Sequence, residues 1–109
     1  MSQLITLDDI TAAAERIAGH VVATPTVPSP GLSAELGVPV TLKLELLQRS
    51  GSFKARGAFA KLLGLTPEQR AAGVVAVSGG NHGSALADAA GALDVAATIV
   101  MARTAPQRS

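Results

Sequence analysis

Apolar positions along the chain switch between helical and extended spacing. Leu7, Ile10, Ala14 and Ile17 recur every three to four residues, as on one helix face, and the run stops at Gly19. Thr6 stands as the N-cap of that helix, with Asp9 three residues on in a capping-box-like position. Pro25, Pro28 and Pro30 predict that residues 21–31 are extended and not helical. A short helical turn over 32–36 ends at Gly37. Val40, Leu42 and Leu44 then alternate with Thr41, Lys43 and Glu45, and this period of two predicts a strand.

Beyond the small-residue loop Ser50-Gly51-Ser52, a helix is predicted over 53–63. Thr66-Pro67-Glu68-Gln69 opens another, with a cap, proline at the first helical position and glutamine as box partner. Gly73 separates it from Val74-Val75-Ala76-Val77, an unbroken apolar run of the kind buried on both faces of a sheet. Residues 78–83 form a glycine-rich loop, followed by an alanine-rich helix to about Leu93 and a further buried strand over 97–101. Strand, helix and strand at this spacing predict a parallel βαβ unit. The fold class expected is α/β, an open parallel sheet with helices on both faces.

Composition narrows the chemistry. The chain has 109 residues, 48% hydrophobic and 16% charged, which fits one folded domain or part of one. A net charge of +1 gives no bulk pull toward nucleic acid or an anionic membrane. Phe53 and Phe59 are the only aromatic residues, so no base-stacking platform exists. Cysteine is absent, which excludes disulfides, thiolate nucleophiles and cysteine-based metal sites, and His20 and His82 are too far apart in sequence to suggest a metal pair. No apolar run approaches the roughly 20 residues of a membrane span, and the N-terminus turns acidic early. A soluble cytoplasmic protein is expected, with no metal, nucleic-acid or membrane partner.

Two turns rich in glycine and serine carry the candidate chemistry. Ser50-Gly51-Ser52-Phe53-Lys54 places Lys54 in the first turn of a helix, where the partial positive charge and any burial disfavour the ammonium form. A neutral lysine is a nucleophile for a carbonyl. Ser78-Gly79-Gly80-Asn81-His82-Gly83 lies where a buried strand turns into a helix, at the carboxyl end of the sheet, where open α/β folds bind ligands. Its glycines admit close approach, and the helix-start N–H groups suit a carboxylate. A nucleophile elbow is a near miss, because Ala76 replaces its first glycine and His82 is too close to Ser78. A dinucleotide fingerprint lacks its first glycine and its later acidic residue, and no Gly-Lys pair exists for a phosphate-binding P-loop.

Together, Ser-Gly-Ser-Phe-Lys-x-Arg-Gly-Ala and Ser-Gly-Gly-Asn-His-Gly resemble the serine/threonine dehydratases, fold-type II pyridoxal-phosphate enzymes related to the tryptophan synthase β chain. Ala23-Thr24-Pro25-Thr26, the 42–48 segment and Ile99-Val100-Met101 with Ala105-Pro106 extend the resemblance from about residue 4 onward. The resemblance implies that Lys54 carries pyridoxal 5'-phosphate, takes the substrate α-proton and is the catalytic residue. Phe53 would pack on the cofactor ring and Asn81 would bond its phenolic oxygen. Residues 78–82 (Ser78, Gly79, Gly80, Asn81 and His82) would hold the substrate carboxylate, with Ser52 lining the same pocket. The implied reaction converts a β-hydroxy amino acid, threonine or serine, to a 2-oxo acid and ammonia; a β-replacement enzyme or synthase of the same superfamily is the alternative.

Ser50 stands where many relatives have threonine. Gly79 stands where the racemase branch has a serine acting on the opposite substrate face. The phosphate-gripping loop and the pyridine-nitrogen partner of the family have no counterpart, so a truncated form, inactive alone or non-catalytic, is expected. In that reading residues 1–45 start a large domain, residues 46–109 form part of a small one, and the full-length protein is a homo-oligomer. Arg56 is read as a salt-bridge or loop anchor, Glu45 as a strand-face charge, Asp88 as a helix-face charge, His20 as a surface residue and Phe59 as core.

Overall fold

A computed structural model describes residues 3–106. The helices are α1 (Leu7–Ile17), α2 (Pro30–Leu36), α3 (Lys54–Leu63), α4 (Pro67–Ala72) and α5 (Asn81–Ala92). The strands are β1 (Thr26–Pro28), β2 (Thr41–Lys43), β3 (Val74–Val77) and β4 (Ala97–Val100), and two 3-10 turns, Glu45–Leu47 and Arg49–Gly51, join β2 to α3. β1 pairs antiparallel with β2, setting Thr26 opposite Lys43. β3 pairs in parallel with β4, setting Val74 opposite Ala97. No helix among the described residues is long and apolar enough to cross a membrane.

The local signals act as their chemistry dictates. Thr6 Oγ1 accepts the Asp9 N–H at 3.2 Å while the Asp9 carboxylate accepts the Thr6 N–H at 2.9 Å. Those bonds hold the Asp9 carboxyl below its ordinary value. Thr66 and Gln69 repeat the exchange at α4. Gly37 closes α2 in the left-handed conformation, φ 69°.

The core lies between α3 and α5. Phe59 and Leu62 of α3 are fully buried, with Ala58 beside them. Ala85, Leu86, Ala89 and Ala90 of α5 face them, and their mostly small side chains let the two helices approach closely. Ile17 and Val95 complete the cluster. Burying Phe59 and Leu62 contributes about 1.5–3 kcal/mol each. His20 is half-buried with its ring 5.7 Å from that of Phe59, so it is packed and not a plain surface residue.

Several expectations are corrected. Pro30 opens α2 at its first helical position, where the missing N–H costs nothing, and Ser29 caps it. β2 ends at Lys43, because the chain tightens into a 3-10 turn at Glu45, which is therefore not a strand-face charge. The apolar stripe of α1 is buried only at Ile17, with Leu7 and Ile10 exposed. The β3–β4 pair is not buried on both faces. α5 covers the side of Val74, Ala76 and Ile99, while Val75 and Val77 remain 72% and 79% exposed. The fold class is α/β as expected, and among the described residues α5 supplies the cover on one face of the parallel β3–β4 pair.

Candidate active site

The approach to Lys54 is built by polar side chains. Gln48, 5% exposed, accepts the N–H groups of Val22 (2.9 Å) and Arg49 (3.0 Å) on Oε1 and donates from Nε2 to the Val22 carbonyl (2.9 Å). Ser50 (φ 58°) and Gly51 (φ 82°) then take successive left-handed conformations, which reverse the chain. For serine this backbone is uncommon, and its buried Oγ has no hydrogen-bond partner. Ser52 is buried, and its Oγ accepts the Lys54 N–H at 3.3 Å, satisfying one of the orphan donors at the start of α3.

Lys54 is the first residue of α3 and is exposed. The burial anticipated for it is absent. Its Nζ lies 5.4 Å from the centroid of the Phe53 ring, itself 60% exposed. Two residues on, Arg56 pairs with Glu45. That guanidinium, with a smaller contribution from the hydrogen bond of Thr24, lowers the Glu45 carboxyl to about 2.

The second turn continues the sheet. Ser78 N–H donates to the Val100 carbonyl at 3.0 Å, extending the parallel ladder by one rung. Ser78 Oγ accepts the N–H groups of Gly80 (3.2 Å) and Gly83 (2.9 Å). It caps α5 in place of Gly80, which has no side chain to do so. Two of the donors anticipated for an anion are therefore already used. Gly83 is closely packed: a Cβ there would lie 3.0 Å from the Ser78 carbonyl oxygen and 3.1 Å from Ile99 Cγ2. At Gly79 a Cβ would lie 2.9 Å from Ala105 Cβ.

The two turns meet in part. Phe53, Lys54, Arg56, Gly57, Ala58 and His82 line one cleft of about 440 Å³. Ser78, Gly79 and Gly80 line another, of about 640 Å³, together with residues from Met101 to Pro106. Asn81 begins α5 beside His82 and is exposed, lining neither cleft. Ser52 lies buried beneath the lysine turn. The structure thus joins Lys54, Phe53 and His82 and sets Ser78, Gly79 and Gly80 apart from them.

Sequence reasoning missed Thr24, Gln48 and the Arg49–Asp88 pair. Thr24 and Gln48 are both buried. Both fall in the 23–26 and 42–48 segments that carry the family resemblance, but no periodicity marks either as a buried polar residue.

A pyridoxal ring needs a reachable primary amine and a flat apolar face. An exposed Lys54 amine beside the Phe53 ring, opening on a cleft, fits both requirements.

Relatives agree with that chemistry. The chain is 50% identical over 104 residues to an L-threo-3-hydroxyaspartate ammonia-lyase of a Pseudomonas species, covering 95% of this chain and 33% of that protein. It is 46% identical over 103 residues to the L-threonine ammonia-lyase of Thermotoga maritima, covering 94% and 26%. The solved serine racemase of Dictyostelium discoideum superposes with a TM-score of 0.88 at 37% identity, covering 94% of this chain and 34% of that one. The chain spans about a quarter to a third of the length of these relatives. Residues 17–109 match the family described as pyridoxal-phosphate dependent enzyme, and the chain belongs to that family.

Proposed function

We propose that the protein carrying this chain is a pyridoxal-phosphate-dependent dehydratase, or ammonia-lyase, acting on a β-hydroxy amino acid, threonine or serine. The observation that carries this reading is the shared cleft of Lys54, Phe53 and His82, in which the starts of α3 and α5 present an amine, an aromatic face and an imidazole together. Lys54 would hold the cofactor, Phe53 would lie against its ring, and Asn81 would bond its phenolic oxygen. Bound pyridoxal phosphate supplies the electron sink that stabilises charge at the substrate α-carbon.

The chain's own groups do the rest. Lys54 Nζ takes the α-proton as general base. The β-hydroxyl leaves as water, and the resulting enamine takes up water and releases ammonia, leaving a 2-oxo acid. The substrate carboxylate is held by the 78–82 loop (Ser78, Gly79, Gly80, Asn81 and His82) through backbone N–H groups other than that of Ser78, which bonds the Val100 carbonyl, and that of Gly80, which bonds Ser78 Oγ, with Ser52 lining the pocket. The separate β1–β2 and β3–β4 sheets support a division of the chain near residue 45 into parts of two domains.

A panel of amino acids assayed for 2-oxo acid release by the native-length protein tests the reaction. Release from threonine or serine is expected, with 3-hydroxyaspartate in the panel as a third substrate. Turnover only in the presence of an added β-nucleophile, with no 2-oxo acid formed, would assign a β-replacement synthase instead.

A further inference from the structure

Arg49 immediately precedes the left-handed Ser50–Gly51 turn that leads to Lys54. Its guanidinium is held from two directions. Nε donates to Asp88 Oδ2 at 2.8 Å and Nη2 to Asp88 Oδ1 at 3.2 Å, a bidentate pair. The same group lies 5.0 Å from the centroid of the fully buried Phe59 ring. Both side chains of the pair are about one-third exposed, 36% each, so their mutual attraction is modest, and the bidentate geometry is what matters.

Asp88 belongs to α5 and lies seven residues after Asn81. Seven residues are two helical turns, so the two share a face about 10 Å apart. The ion pair therefore ties the turn before Lys54 to the helix that presents Asn81 and His82.

We propose that Asp88 is a positioning residue for the Lys54 amine, acting through Arg49 to fix the lysine turn against α5. This rests on the assignment of Lys54 as the cofactor-holding amine. A misplacement of about 1 Å at a reacting group is enough to lower a rate by up to about 10²-fold. A purely structural pair would lower stability without changing how the folded protein reacts.

The test uses the native-length protein and two readouts. One is the rate at which pyridoxal phosphate and borohydride label Lys54, followed by peptide mapping. The other is the division of any loss between kcat and KM. Asp88→Asn should slow Lys54 labelling and lower kcat, each by about tenfold, with KM nearly unchanged. Asp88→Glu, which keeps the charge, should recover most of both. Arg49→Lys, which keeps the charge but loses the fork, should behave like Asp88→Asn and serves if that variant does not fold. Wild-type labelling and kcat in folded Asp88→Asn, with only a lower melting temperature, would overturn the proposal. A wild-type protein labelled at Lys43 or Lys61 would overturn the Lys54 assignment itself, whatever the variants do.

Discussion

Glu45 and Arg56 are bound to each other across the lysine turn. Arg56 Nη2 donates to Glu45 Oε2 at 3.2 Å, Arg56 Nε donates to Oε1, and the Thr24 hydroxyl donates to Oε2. One carboxylate thus gathers the extended segment before β1, the 3-10 turn after β2 and the first turn of α3. Lys43 Nζ adds a bond to the Thr24 carbonyl at 3.2 Å.

This pair makes stability depend on pH in a stated direction. Glu45 falls from 4.5 to about 2 because Arg56 favours its charged form. A depressed carboxyl stabilises the fold fully above its unfolded value and loses that contribution as pH falls toward the folded value. Unfolding free energy of the wild type should therefore exceed that of Glu45→Gln by about 1–2 kcal/mol at pH 7, with the gap closing between pH 4.5 and about 2. Denaturant titrations across that range measure it. A gap that stays constant with pH would show that the charge is not what stabilises.

Ser78→Ala removes the acceptor of two backbone N–H groups at the start of α5. A loss of about 1–2 kcal/mol is expected, as for other N-cap replacements, read from equilibrium unfolding. Amide hydrogen exchange at Gly80 and Gly83 should quicken in the same variant.

Gly83→Ala sets a methyl against the Ser78 carbonyl oxygen and Ile99 Cγ2, at 3.0 and 3.1 Å. Both are held by the sheet, so neither yields easily. The variant should be destabilised by about 1–3 kcal/mol, whereas Gly57→Ala, where a Cβ meets nothing within 4 Å, should not be. Melting curves of the two variants make the comparison.

Gly79 bears on stereochemistry. On the proposed role of Lys54, racemisation with a proton handled on each face needs a second acid or base, and Gly79, standing where the resemblance puts the serine of the racemase branch, offers none. Elimination without appreciable racemisation is expected. Chiral analysis of unreacted L-serine after partial turnover checks it, and D-serine accumulating as fast as 2-oxo acid forms would contradict it.

What was readable in the sequence is what is settled by neighbours within about four residues. The Thr6–Asp9 and Thr66–Gln69 boxes, the stop at Gly37 and the Ser52–Lys54 turn all depend on local backbone chemistry. The resemblance carried by the two turns pointed to the family for the same reason, since a motif is local. Partners 21 to 44 residues apart were not readable: Gln48 with Val22, Thr24 with Glu45, Arg49 with Asp88 and Arg16 with Ala60. Polar pairs leave no period in the chain. The apolar run at Val74–Val77 was misjudged because composition reports that a strand suits burial, not what covers it. The bonds of the Ser78 hydroxyl were not readable either, because a rotamer that turns a hydroxyl back onto its own helix start leaves no trace in sequence.

The account stands most directly on which amine meets the cofactor. Among the lysines, Lys43, Lys54 and Lys61, only Lys54 lies beside an aromatic face in the cleft shared with His82. Incubating the native-length protein with pyridoxal phosphate, reducing with borohydride and mapping the peptides measures this. The expected result is a phosphopyridoxyl group on Lys54. A label confined to Lys43 or Lys61 would contradict the account.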